Sequence, residues 1–216
     1  MTDQYILSID PGKSSGVALL AYNDREAWLE GSWQFGGGSI RLRNFINYRF
    51  GWDEVPGQFF VLKEYPQFSL NPVVEPWRFT LKRPHGNGKY DNLTVIAEKF
   101  TARNTQGFSY TTDSLEPLRG EGVLLALEVM PDYSPNEKRW RDPKLQYLVG
   151  GKDKADKKKR QHKFLKDSGF YVAPSALETT DADDFRSACA HGLAYLQREL
   201  KHRGVHAMVS EWMEGN

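Results

Sequence analysis

Four acidic side chains stand where a carboxylate could take part in chemistry. Asp10 and Glu98 each end an apolar, strand-like run, and Asp181 and Asp184 open an amphipathic segment three positions apart, which places them on one face of a helix. Clustered carboxylates repel one another unless a cation neutralises them, and oxygen-only ligands favour Mg²⁺ or Mn²⁺. Two such ions about 3.5–4 Å apart can drive the hydrolysis of a phosphodiester. These four residues are therefore candidate metal ligands.

Each acid also has an ordinary structural explanation. Asp10 begins an Asp-Pro-Gly sequence, which is a common turn, and Glu98 could simply end a strand beside Lys99. Asp181 and Asp184 could cap a helix and complement its dipole. Taken one at a time, the acids leave both interpretations open, and it is their combination that favours a metal site.

Positive charge is concentrated in one segment of the chain. Residues 138–166 contain twelve Lys and Arg and three Asp, a net charge of +9, whereas the whole chain carries +1 and the remainder therefore carries −8. A basic segment on an otherwise acidic protein fits contact with a phosphate backbone. A solvated, lysine-rich helix face would have the same composition.

The elements that must position these residues follow from the hydrophobic pattern. Three closely spaced strands predict an antiparallel meander, and a later strand reached through a helix predicts a mixed sheet with helices on its faces. Residues 51–92, rich in Pro, Gly and aromatic residues, predict an irregular insertion within a single domain of residues 1–216. The predicted strands are 4–9, 16–22, 26–35 and 93–100, and the predicted helices are 39–50, with Ser39 as its cap, 114–130, 155–170 and 179–204.

Composition excludes several classes of protein. No apolar run is long enough to span a bilayer and no signal peptide is evident, so we expect no membrane association. The single cysteine, Cys189, excludes an internal disulfide and a cysteine zinc site. A reducing, cytoplasmic setting is expected.

Five stretches, in this order, resemble the RuvC-type Holliday-junction resolvases, whose fold is ribonuclease H-like. The similarity covers about residues 5–50 and 93–200. It is carried by 7-LSIDPGKSSGVAL-19, 95-VIAEKFTARN-104 with 119-RGEGVLLALE-128, 133-YSPNEKRW-140, 150-GGKDKADKKKRQHKFL-165 and 181-DADDFRSACAHGLAYL-196.

The resemblance implies a fold, an activity and roles for named residues. The fold would be a five-stranded mixed α/β sheet, with β1, β2 and β3 antiparallel and the following strands parallel, flanked by helices. The activity would be metal-dependent, symmetric cleavage of four-way or other branched DNA. Asp10, Glu98, Asp181 and Asp184 would bind two Mg²⁺ ions, replaceable by Mn²⁺, and Lys157 would complete the catalytic set. DNA contacts would come from Lys138, Arg139, Lys157, Lys158, Arg160, Lys163, Phe100 and Arg103.

The resemblance further implies a homodimer, which suits a junction that is cut at two symmetric positions. The compact, decorated chain resembles phage-encoded members, which act in the cytoplasm of a bacterial host. Two alternatives stay open. One is a nuclease of the same fold that cuts flaps, forks or R-loops, and the other is a catalytically silent protein that binds branched DNA.

Overall fold

The computed structural model describes residues 3–50, 93–100, 113–127, 129–130, 138–171 and 183–216. The expected insertion at 51–92, the candidate metal ligand Asp181 and the candidate DNA contact Arg103 lie outside these ranges. Within the described residues, no helix has the length and apolar character needed to cross a membrane.

A five-stranded mixed sheet forms the centre of the protein. The strand order is β3-β2-β1-β4-β5, with β1, β2 and β3 antiparallel, and with β4 parallel to both β1 and β5. This confirms the predicted mixed sheet of antiparallel and parallel strands. The strands are β1 (Gln4–Asp10), β2 (Ser14–Tyr22), β3 (Ala27–Gly36), β4 (Leu93–Glu98) and β5 (Trp140–Arg141).

Within the described ranges, five α-helices flank the sheet. They are α1 (Gly38–Phe50), α2 (Glu116–Ala126), α3 (Lys154–Asp167), α4 (Asp183–Arg198) and α5 (Arg203–Gly215). The prediction of one continuous helix to residue 204 is wrong, because Lys201 adopts a positive φ of 55° and the chain turns there. His202 then caps the N-terminus of the last helix, since its side chain accepts a hydrogen bond from the N–H of Val205.

Both faces of the sheet are buried, and the period of two along each strand divides the core in two. Ile6 packs with α4 on one face, whereas Leu7 and Ile9 pack with α1 on the other. All three side chains are fully buried. The central strands β1 and β2 therefore consist mainly of buried apolar residues, and the charged residue of β1, Asp10, stands at its end.

Helix α4 carries the largest part of one core. Its predicted inward positions are buried as expected, and Gly192 lets the helix approach so closely that an added Cβ would lie 2.2 Å from Cδ1 of Leu20. These predicted positions are Phe185, Ala188, Cys189, Gly192, Leu193 and Leu196, and Ala190, His191 and Ala194 are buried as well. This close contact holds the middle of α4 against β2.

Helix α1 is not capped as predicted. Ser39 lies inside the helix, and its backbone N–H donates to Oε2 of Glu116 at 2.9 Å. Glu116 is the first residue of α2 and also accepts from Arg119. One carboxylate therefore joins the N-terminal ends of two helices that are far apart in sequence.

Candidate active site

The ends of β1 and β4 bring two of the candidate acids together. The strands are parallel neighbours, and Ile9 pairs with Ala97, so the next residues along each strand, Asp10 and Glu98, leave the same edge of the sheet side by side. This arrangement was predicted from the sequence, and the register confirms it.

The third acid comes from the start of α4. In the sheet, Asp10 pairs with Gly16, and Gly16 pairs with Gln34, so these residues form a row across β1, β2 and β3. The first turn of α4 crosses this row. A Cβ on Gly16 would lie 2.1 Å from the carbonyl oxygen of Asp184, and the N–H of Phe185 donates to Oε1 of Gln34 at 3.2 Å. Asp184 is thereby held beside Asp10.

The electrostatics of Asp10 show that the acids act on one another. Its pKa is raised well above the ordinary value, first by burial and then by the negative charges of Glu98 and Asp184. A hydrogen bond from Ser187 opposes this shift. Ser187 Oγ also lies 2.7 Å from the side-chain amide of Gln146, which ties α4 to the turn after β5.

Glu98 has a partner that the sequence did not predict. Nε2 of His191 lies 2.6 Å from Oε2 of Glu98, and the imidazole is fully buried. A histidine on a helix is by default an ordinary packed or surface residue, so the sequence alone gave His191 no functional role. The signal that could have found it is its spacing, because Asp184, Ser187 and His191 recur at three- and four-residue intervals on one face of α4.

The acids open onto a cleft of about 1220 Å³, and one face of α3 helps to line it. Lys154, Lys157, Lys158, Gln161 and His162 recur with helical spacing along that face. The cationic residues of the lining outnumber the acidic ones. The cations are Lys99, Lys144, Lys154, Lys157, Lys158 and Arg186, and the acids are Asp10, Glu98, Asp142 and Asp184.

Arg186 and His162 meet within this cleft. An arginine N–H group lies 3.0 Å from Nδ1 of His162. The imidazole is tilted against the ring of Tyr171, and the guanidinium lies 6.0 Å from the centroid of that ring. The sequence alone indicated no role for either residue. Their contact connects α3 with α4. It also holds the guanidinium of Arg186, which follows Asp184 by two positions, near that candidate metal ligand.

The structure describes five further residues that were expected to contact DNA, in addition to Lys157 and Lys158. These five residues lie in different places. Phe100 lines the cleft, and its backbone N–H donates to the carboxylate of Glu121. Lys138 instead pairs with Glu199 at 3.1 Å, outside the cleft lining. Arg139 is also outside the lining, and its carbonyl accepts from the N–H of Ala97.

Arg160 and Lys163 lie on a different face of α3. Their cationic groups are 5.4 Å and 5.6 Å from the ring centroid of Trp212, and both side chains reach Asn216. They join α3 to the end of α5 and do not line the cleft. The structure thus separates these two residues from Lys157 and Lys158, because they point around the helix axis toward α5 and away from the cleft. Their expected contact with DNA stays a prediction.

The donor chemistry of the site fits a hard divalent cation. Asp10, Glu98 and Asp184 offer only carboxylate oxygens, the ligands that Mg²⁺ accepts, and a cation would relieve the repulsion that raises the pKa of Asp10. In the part of the chain that the structure describes, no three His, Cys, Asp or Glu side chains already form a group that could hold a metal ion. Asp181, the fourth candidate, lies outside that part.

No known protein family matches this sequence, and no curated protein matches it.

Proposed function

We propose that this protein is a divalent-metal-dependent endonuclease that cleaves branched DNA, with the four-way junction as its preferred substrate. One observation carries the proposal. Asp10, Glu98 and Asp184 come from three different elements and meet in a cleft that is also lined by Lys154, Lys157 and Lys158. Such a cleft offers acids for a metal and cations for a phosphate chain.

The order and directions of the strands support a ribonuclease H-like fold for this domain. In the resolvases that the sequence resembles, an antiparallel three-stranded meander continues into parallel strands, and the acids lie at the ends of the first and fourth strands. Here the order is β3-β2-β1-β4-β5, and Asp10 and Glu98 occupy those two strand ends.

Each residue has a defined task in this proposal. Asp10, Glu98 and Asp184 would hold Mg²⁺ or Mn²⁺, with Asp181 as the fourth ligand that the resemblance implies. A divalent cation bound there supplies an activated water and neutralises charge on the leaving oxygen. Lys157 and Lys158 would bind the phosphates that flank the cut, and Phe100, at the cleft, would contact bases near the branch point.

A cleavage assay on synthetic DNA tests the proposal. Labelled four-way junction, duplex, flap and fork substrates are incubated with the wild-type protein and with Asp10→Asn, in Mg²⁺, Mn²⁺ or EDTA. We expect paired, symmetric nicks in the junction that are lost in EDTA and in the variant. Asp10→Asn keeps the size of the side chain and removes its charge, so junction binding without metal should survive.

The other results separate the alternatives. If flaps or forks are cut and the four-way junction is not, the proposed active site stands and the proposed substrate changes. Binding of junction DNA without cleavage in any metal makes the protein a catalytically silent DNA-binding protein. Failure to bind or cut any of these substrates overturns the proposal.

We also propose that the active form is a homodimer, because two symmetric cuts require two active sites related by a two-fold axis. Sedimentation of the protein alone and on a four-way junction tests this directly. Two copies per junction are expected, and one copy per junction would contradict the dimer.

A further inference from the structure

Nε2 of His191 makes a short contact, 2.6 Å, with Oε2 of Glu98. The imidazole is fully buried, whereas the side chain of Glu98 keeps 19% of its exposure at the cleft. A hydrogen on Nε2 makes the ring the donor and the carboxylate oxygen the acceptor, a charge-assisted bond of the stronger kind.

The other ring nitrogen supports this assignment. Nδ1 of His191 is buried and has no hydrogen-bond partner among the described residues. A hydrogen on Nδ1 would therefore be a buried donor without an acceptor, which is costly. The neutral ring with its hydrogen on Nε2 satisfies the contact and avoids that cost.

The hydrogen bond between His191 and Glu98 connects two elements that each carry a candidate metal ligand. Asp184 lies two turns earlier on the same helix, and Glu98 ends β4 in the sheet on which this helix packs. The single helix α4 thus supplies one candidate metal ligand and also holds a second one. Glutamate has three rotatable side-chain bonds, so a donor that fixes one oxygen also fixes the plane in which the other oxygen lies.

We propose that His191 is a positioning residue, which orients the carboxylate of Glu98 for metal binding without itself ligating the metal. This inference rests on the proposed function. Outer hydrogen bonds to metal ligands commonly change metal affinity or activity by about 10–100-fold. The competing explanation is that Glu98 merely satisfies a buried histidine, in which case loss of the histidine would change stability and leave metal affinity alone.

The test measures Mn²⁺ binding by electron paramagnetic resonance in the wild-type protein and three variants. His191→Leu fills the space without a donor, His191→Gln retains a donor, and His206→Leu changes an exposed histidine of α5 as the matched control. We expect about 10–100-fold weaker Mn²⁺ binding in His191→Leu, partial recovery in His191→Gln, and no change in His206→Leu. Junction binding in EDTA should be equal in all four.

The outcomes distinguish the two proposals. A wild-type protein that binds Mn²⁺ and cuts junctions, with a His191→Leu variant of equal Mn²⁺ affinity, overturns the positioning role and leaves the nuclease intact. A wild-type protein that binds no Mn²⁺ overturns both.

A measurement on the wild-type protein covers the case in which His191→Leu does not fold. Histidine-selective nuclear magnetic resonance reports the Nε2–H group of His191 directly. Addition of Mg²⁺ should shift this resonance and leave those of His206 unchanged. A His191 resonance that does not respond to saturating Mg²⁺ overturns the positioning role.

Discussion

Asp184, in the first turn of α4, lies directly against Gly16 of β2, at a distance that leaves no room for a side chain on the glycine. A Cβ on Gly16 would lie 2.1 Å from both the carbonyl carbon and the carbonyl oxygen of Asp184. Gly16 is also the register partner of Asp10. The glycine thus sets the separation between a helix and a strand, and that separation brings two acids to one cleft.

Gly16→Ala should move the start of α4 away from the sheet. We expect the free energy of unfolding to fall by about 1–3 kcal/mol, as in an overpacked core, and junction cleavage to be lost because Asp184 is displaced from Asp10. Urea denaturation and the cleavage assay measure the two effects. Gly122→Ala is the control, since Gly122 is exposed in α2 with nothing within 4 Å of an added Cβ. It should raise stability by up to about 1 kcal/mol.

Gln34→Met should loosen the same helix start without a clash. Gln34 is 3% exposed, and it accepts the N–H of Phe185 in the first turn of α4. Methionine keeps the volume and removes the acceptor, so we expect a loss of about 1–2 kcal/mol in urea denaturation. Gln4→Met removes an exposed bond to Tyr22 and should change stability by less than about 0.5 kcal/mol. Equal losses in the two variants would contradict the role of Gln34.

Lys157→Gln with Lys158→Gln should weaken DNA binding, because both residues line the cleft. Each lost phosphate contact should lower the slope of log affinity against log salt concentration by about 0.9, and a salt titration of junction binding measures it. The matched control changes Lys159 and Lys166, which are exposed on α3 and outside the cleft lining. A similar decrease in both double variants would show that only the total charge of α3 matters.

Glu116 should make stability depend on acid pH. The N–H of Ser39, the largest cause, holds the pKa of Glu116 below its ordinary value of 4.5, and Arg119 adds to this. A lowered folded-state pKa means that the stabilisation is complete above about pH 4.5 and is lost as the pH falls through the lower folded value. Urea denaturation from pH 6 to about pH 3 should therefore show a steeper decline for wild type than for Glu116→Gln. Glu211→Gln, at an exposed site of α5, should follow wild type.

Cys189 should report the unfolding of the α4 core. Burial raises the pKa of its thiol to about 12, and the side chain is fully buried. Since the thiolate is the reactive form, a disulfide reagent at pH 8 should label the folded protein only as fast as α4 detaches from the sheet. Labelling should accelerate with urea in step with unfolding measured by circular dichroism. Rapid labelling of the folded protein would show that α4 opens locally.

Strands β1 to β4 and the proximity of Asp10 and Glu98 were predictable from the sequence. The apolar runs that form these strands are long enough to be recognised, and turn residues separate them. Strand β5 was not, since Trp140–Arg141 is two residues long and lies in a basic stretch without periodicity. The break after α4 was missed because Lys201 takes a left-handed conformation that normally favours glycine.

Contacts between distant elements explain the remaining differences. The cap of α1 comes from Glu116, which is 77 positions away from Ser39, and the partner of Glu98 is His191, which is 93 positions away. No local pattern encodes either pair. The helical spacing of His191 from Asp184 indicates a shared face, but only the packing of α4 on the sheet shows what that face meets.

The anchoring of α4 on β3 determines when the cleft can form during synthesis of the protein. Phe185 and Gln34 are 151 positions apart, so a ribosome will have synthesised the sheet strands long before the helix that completes the cleft. Until α4 emerges, Asp10 and Glu98 have neither Asp184 nor His191 beside them. A growing chain could therefore not assemble the site early, and any nuclease activity would be withheld until α4 had been synthesised and had packed on the sheet.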